Sequence, residues 1–128
     1  SLQGALRFFH DFKVGLQRHI VWEEDVLFPI FEEKTGMADA GPTFVMRGEH
    51  RQIKGFLEQI HDTFGVSGNR KLRDEAIKGL LDVLSAHNEK EESILYPWID
   101  NSLEEKELAG VFEKMKEIPP ERYNKCCG

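Results

Sequence analysis

The sequence predicts an all-α fold, an up-and-down helical bundle of three long helices and a short C-terminal one. Apolar residues recur in alternating steps of three and four along three long segments, the stripe of an amphipathic helix packed in a bundle. Clusters of Gly, Pro, Asn and Thr fall between those segments, where the chain must turn. No useful stretch alternates with period two, so nothing reads as a strand. At 128 residues the chain is long enough for one domain and one core. The bundle is expected over 1–118, with 119–128 as a tail.

The first helical series is Phe9, Phe12, Leu16, His19, Glu23, Val26 and Ile30. Thr35-Gly36 and Gly41-Pro42 bracket the turn after it, and Thr43 is placed to cap the second helix. The second series is Met46, His50, Ile53, Leu57, Ile60 and Phe64, with a turn from Gly65 to Asn69. The third is Leu80, Leu84, His87, Glu91, Ile94 and Trp98. Asn101-Ser102 can begin the short fourth helix, through Leu103, Leu108, Phe112 and Met115, and Pro119-Pro120 ends it.

Pro29 and Pro97 both fall where a helical pattern is still running. Proline there removes a backbone hydrogen bond and bends or ends the helix. Gly15, Gly55 and Gly79 each cost roughly 1 kcal/mol against alanine inside a helix. Close approach of a neighbouring helix is one reason to keep such residues.

Charge and cysteine content narrow the function. Asp and Glu number 23 against 17 Lys and Arg, a net charge of -6, which argues against nucleic acid as a partner. No apolar run is long enough to span a bilayer, and no secretory leader is visible. The only cysteines, Cys126 and Cys127, are neighbours, so no disulfide framework can form and the pair reads as an exposed tail. A reducing, cytoplasmic setting is expected. The chain starts at Ser1 inside what already reads as helix (Leu2, Leu6, Phe9), so an upstream segment is expected too.

The helical stripes contain residues foreign to an apolar seam. His19, Glu23, His50, His87 and Glu91 stand where Leu or Ile would be expected. A lone buried carboxylate costs several kcal/mol unless it is paired or bound to metal. A shared cation explains all of these residues together; salt-bridged helices without metal are the alternative. His19 with Glu23, and His87 with Glu91, are i, i+4 pairs on one helix face, so imidazole and carboxylate reach the same ion or two adjacent ions. His50 faces the same interior at a comparable depth.

A single H-x-x-x-E is uninformative, but here it is repeated. His19-Ile-Val-Trp-Glu-Glu-Asp-Val-Leu-Phe-Pro29 matches His87-Asn-Glu-Lys-Glu-Glu-Ser-Ile-Leu-Tyr-Pro97 at the His, both Glu, the Leu and the Pro. Val26/Ile94 and Phe28/Tyr96 are conservative pairs. Two copies of one ligand-bearing helix imply a pseudo-symmetric bundle with a site on its axis.

Through these two segments and the Glu49-His50 pair between them, the chain resembles the hemerythrin-like, or HHE cation-binding, family from about Leu6 to Ile99. The resemblance implies an up-down four-helix bundle with a non-haem di-iron centre. Glu23 and Glu91 would bridge two irons, His19 and His50 would cap one, and His87 the other. Members of that family usually begin with a further helix that supplies one more histidine, and this helix is missing here. His10 is no substitute, because nine residues turn a helix by about 900° and carry it to the side opposite His19. An upstream helix is the first explanation. A partner chain, as in a homodimer, and an incomplete site are the others. The short C-terminal helix could fill the fourth position, but it offers Glu104, Glu105 and Glu107 rather than histidine.

His61 lies about 16 Å beyond His50 along the helix, too far for the same centre. Glu24 and Glu92 are turned about 100° from the proposed bridges, so a supporting or surface role is expected. Trp22 and Trp98 read as packing residues.

Imidazole and carboxylate donors suit Fe, Mn or Zn, and carboxylate-bridged pairs in helical bundles are typically di-iron or di-manganese. Two iron ions are the expected cofactor, with an oxo or hydroxo bridge, because these ligands underfill two six-coordinate ions. That leaves room for a small exogenous ligand, and binding or sensing of O₂ or NO is the leading expectation. The second is redox or iron handling, such as the nitrosative-stress repair of iron–sulfur proteins that some relatives of that family perform. The third is a structural module cemented by metal, naturally Zn. Nothing reads as a substrate pocket with nucleophile and base, so no enzymatic activity is assigned.

Overall fold

Pro29 and Pro97 interrupt long helices without ending them. In the computed structural model, which describes residues 2–64 and 69–125, α1 (Leu2–Trp22) passes through a π-helical turn at Glu23–Leu27 into α2 (Phe28–Thr35). Then come α3 (Pro42–Thr63), α4 (Arg70–Lys90), a second π-helical turn at Glu91–Leu95, α5 (Tyr96–Ser102) and α6 (Glu105–Glu117), with a 3-10 turn at Pro120–Arg122. The all-α expectation holds, with no strand among the described residues. No helix among them is long and apolar enough to cross a membrane. Gly65–Gly68 of the expected second turn, and Cys126 and Cys127, lie outside the described residues.

The π turns are the local response to the prolines. A proline ring clashes with the carbonyl four residues back and offers no N–H. Widening the preceding turn keeps the helix going: the Phe28 N–H reaches Glu23 O and the Tyr96 N–H reaches Glu91 O, five residues back in each case. The extra residue shifts every later side chain around the axis. Leu95 and Ile99 are therefore buried where Ile94 and Trp98 were expected, and these two are 52% and 39% exposed. After the first π turn Phe28 and Phe31 are fully buried, while Ile30 lies half-buried.

The stripe of α1 is also offset. Phe9, Lys13, Ile20 and Glu23 are buried, whereas Phe12 is 40% exposed. Lys13 is buried in a core position and pairs its ammonium with the exposed Glu58 Oε1 at 2.6 Å.

Gly36, in the left-handed conformation at φ 75°, closes α2 with its N–H on Glu32 O at 2.8 Å. Thr43 does not cap α3. Pro42 begins that helix, and buried Thr43 donates its hydroxyl to Glu32 Oε2 at 2.7 Å. Nor does Asn101-Ser102 begin the last helix, because α5 runs through them. Glu104 caps α6 instead, through reciprocal side-chain-to-backbone bonds with Glu107. Val111 buries the inner face of α6, and Phe112 is 59% exposed.

The interior has two apolar clusters. One joins Phe9 and Ile20 of α1 to Ile53, Leu57 and Ile60 of α3 and to Ala76 and Leu80 of α4. The other joins Leu27, Phe28, Phe31, Met46, Leu95, Ile99, Leu103 and Val111. Each buried Leu or Ile contributes about 1.5–3 kcal/mol. The α3–α4 pair is drawn close by Gly79, where a Cβ would stand 2.4 Å from Phe56 Cε1. Gly15 and Gly55 have open space beside them among the described residues, so close approach is seen at only one of the three glycines. Between the clusters lies a buried polar layer of Glu23, His50, His87 and Glu91.

Candidate metal centre

Each π turn begins on an interior carboxylate. Glu23 and Glu91 are the first residues of the two π turns, one helical turn after His19 and His87, while His50 comes from the middle of α3. The structure brings all five sequence-predicted residues together. His50 Nε2 lies 3.0 Å from Glu23 Oε1, and His87 Nε2 lies 3.1 Å from Glu91 Oε1. His19 Nε2 is 3.4 Å from Glu23 Oε2 and 3.8 Å from Glu91 Oε2. The His50 and His87 rings approach to 5.0 Å between centroids.

The histidines divide differently from what the resemblance implied. Donor atoms of Glu23, His50 and His87 lie within 4.8 Å of one another, and so do those of His19, Glu23 and Glu91. His50 thus sits with His87 on a closed side, fully enclosed, while His19 faces outward with 46% of its side chain exposed. Spacing along one helix cannot reveal this, because it depends on which helices are neighbours.

Carboxylates hold the two enclosed rings from behind. Glu24 Oε2 lies 2.7 Å from His50 Nδ1, the supporting role its position predicts, and Glu49 Oε1 lies 2.9 Å from His87 Nδ1. Glu49 also pairs with Lys90. A carboxylate on Nδ1 fixes tautomer and ring orientation and leaves Nε2 toward the centre. The Glu49-His50 pair carries part of the family resemblance, but nothing in the sequence assigns Glu49 a role at the site; its place behind His87 depends on how α3 and α4 pack. Glu92 is exposed, His10 joins none of these groupings, and His61 pairs with neighbouring Asp62 at 3.3 Å, away from the centre.

Charge and burial pull against each other here. Hydrogen bonding to Glu23, then to Glu91, pushes His19 from 6.5 up to about 10. Burial lowers His50 and His87, but their carboxylate partners outweigh it and both end above the ordinary value. Burial raises Glu91, yet hydrogen bonds from His19 and His87 hold it well below the carboxylate range. Glu24 and Glu49 are lowered as well, since His50 and Lys90 respectively overcome their burial.

Tyr96 is the residue sequence reasoning missed. Its hydroxyl stands between Glu23 Oε2 at 3.0 Å and Glu91 Oε2 at 2.9 Å, donating to one at a time, and 3.3 Å from His19 Nε2. Burial, then the two carboxylate charges, pushes its pKa up, so it is a neutral phenol here. Its only signal was a hydroxyl in one copy of the repeat where the other has Phe28. A cavity of about 500 Å³ opens beside it, lined by His19, Trp22, Leu27, Ile99 and Val111 among others. Trp22 packs under Arg18, and its Nε1 is enclosed with no hydrogen-bond partner among the described residues. Trp98 meets Phe31 edge-on at 5.8 Å.

The donor set fits a cation. Nitrogen and carboxylate oxygen atoms converge from three helical segments within 4.8 Å, and both enclosed imidazoles are held from behind. The same atoms also satisfy one another as imidazolium–carboxylate pairs, so protons and metal compete for them.

Comparison with known proteins agrees with this chemistry. The model of the hemerythrin HHE cation-binding domain matches residues 1–99. An uncharacterized hemerythrin-like protein of Schizosaccharomyces pombe is 29% identical over 119 residues, 91% of this chain and 57% of that protein. The iron–sulfur cluster repair protein YtfE of Escherichia coli O81 is 34% identical over 89 residues, 64% of this chain and 40% of its own length. The chain therefore spans less than two thirds of these relatives. No solved structure gives a match.

Proposed function

Since this chain belongs to the hemerythrin HHE cation-binding domain family, we propose that it holds two iron ions and binds or senses O₂ or NO at the exposed side of its centre. Glu23 and Glu91 would be the residues common to both sides, because histidines from both sides reach them. The asymmetry of the centre carries the proposal: His50 and His87 are enclosed, while His19 borders a cavity of about 500 Å³. Iron supplies a redox-active ion with an open coordination position. The chain's own residues do the rest. His50 and His87 anchor the closed side through Glu24 and Glu49, and Leu27, Ile99, Val111 and Met115 keep the cavity wall apolar and limit water. Manganese and zinc satisfy the same donors less specifically. A cytoplasmic, reducing setting suits such a centre, since it keeps iron ferrous.

A second reading is iron handling, as in repair of iron–sulfur clusters. The half-exposed His19 favours it, since a metal held there exchanges more readily than one behind His50 and His87. The relatives named for iron–sulfur cluster repair add to it. In either reading a further helix, from upstream or from a second copy of the chain, completes the bundle. Phe8 and Phe12, 75% and 40% exposed, share the α1 face that carries His19 and offer it an apolar seat.

The test is anaerobic loading with ferrous iron, followed by spectra before and after air or NO. A charge-transfer band that vanishes on deoxygenation and returns supports reversible O₂ binding. Iron lost to a mild chelator while the helices survive supports iron handling. No response to either gas, with unfolding on chelation, leaves only a structural metal and overturns both.

A further inference from the structure

Tyr96 is where the two copies of the repeat part chemically. Phe28, its counterpart, stacks on the His50 ring at 5.7 Å with an interplanar angle of 7° and offers no donor atom. Tyr96 instead places its oxygen among His19 Nε2, Glu23 Oε2 and Glu91 Oε2, at 3.3, 3.0 and 2.9 Å. His19 Nε2 is in turn 3.4 and 3.8 Å from those two carboxylate oxygens. Donors held about 2.1 Å from a first-row metal lie roughly 3.0 Å apart at adjacent corners of an octahedron and roughly 3.4 Å apart in a tetrahedron. The three Tyr96 contacts and the His19–Glu23 contact fall in or close to that range, and only His19 to Glu91 Oε2, at 3.8 Å, is longer, so one nitrogen and three oxygens face a space that a single ion can share.

We propose that Tyr96 is itself a metal ligand, its phenolate oxygen joining His19, Glu23 and Glu91 around the ion on the exposed side. The inference rests on the metal-binding reading above. Each side then has two terminal donors, His50 and His87 on one, His19 and Tyr96 on the other, with the carboxylates shared. As the oxygen–metal bond forms, the phenol O–H breaks and its proton leaves through the adjoining cavity to solvent; no electron is transferred.

The protein is loaded anaerobically with ferrous iron, oxidised to the ferric form with ferricyanide, and its visible and resonance Raman spectra are recorded. The expected result is a phenolate-to-iron charge-transfer band whose excitation enhances tyrosine ring vibrations. Tyr96→Phe, the side chain the other repeat already carries, removes the band and weakens one iron equivalent about tenfold or more, with circular dichroism unchanged. Tyr123→Phe, changing the only other tyrosine, leaves the band intact. Iron uptake without a phenolate signature, or a signature that survives Tyr96→Phe, reduces Tyr96 to a hydrogen-bond donor and overturns the proposal while the metal site stands. Failure of the unmodified chain to take up iron removes both.

Discussion

His87 and His19 hold the same place in two copies of one motif, yet one is sealed and the other is half in solvent. Both motifs open a π turn on a carboxylate and carry a proline six residues after it. His87 is 2% exposed, with Glu49 on its Nδ1. His19 has 46% of its side chain exposed and no such carboxylate among the described residues. The difference comes from neighbours. Helix α4 lies close along α3, with Gly79 admitting the Phe56 ring, while the flank of α1 that carries His19 also carries exposed Phe8 and Phe12. Local sequence chooses the ligand and the turn. Tertiary packing decides how tightly the ligand is held.

The harshest way to break that contrast is Glu91→Ala, which removes the carboxylate reached by His19 and His87 alike. Metal per chain is expected to fall by about half or more, since both sides lose a donor. Unchanged content by elemental analysis would end the shared role of Glu91. Next comes the pair His50→Ala and His19→Ala in metal-free protein. Removing the fully enclosed His50 takes the buried imidazole from between Glu23 and Glu24 and is expected to cost about 3 kcal/mol in urea unfolding. Removing half-exposed His19 is expected to cost about 1 kcal/mol or less. Equal losses would show that the two sides do not differ in the way described.

A finer cut is Glu49→Gln, which keeps the shape behind His87 and removes the charge. Metal affinity on the closed side is expected to drop about 10- to 100-fold by competition with a chelator. An unaltered affinity would mean that Glu49 only pairs with Lys90. The gentlest test is pH. The histidine pKa values are raised by folding, so their contribution to the metal-free protein is full below 6.5 and fades as pH climbs through the folded values, about 10 for His19. Glu24, Glu49 and Glu91 are lowered, so their contribution is present above 4.5 and is lost as pH falls. The melting temperature of the metal-free chain should therefore peak between those limits. One that rises steadily beyond pH 8 would contradict the pairing.

The ligand-bearing residues were legible because a carboxylate or imidazole on an apolar stripe is conspicuous, and because the motif recurs. The phase of the stripes was less legible. A period of 3.6 assumes an uninterrupted helix, and Pro29 and Pro97, seen but read as bends or ends, were the mark of the π turns that move Leu95 and Ile99 inward. Lys13 stands outside the apolar series read along α1, yet it is buried while Phe12, within that series, is 40% exposed. The start of α6 is marked by Glu104 and Glu107 three residues apart, just beyond the Asn101-Ser102 pair expected to begin that helix. Tyr96 and the grouping of the histidines depend on contacts between helices, which no single segment encodes.

The charged layer has a consequence for how the molecule comes apart. Greasy contact binds each end of the bundle, but Glu23, His50, His87 and Glu91 lie between the ends and make no oily bridge. The ion pairs His50–Glu23 and His87–Glu91 are therefore what couples one end to the other, and protonating the carboxylates is expected to let the ends loosen separately.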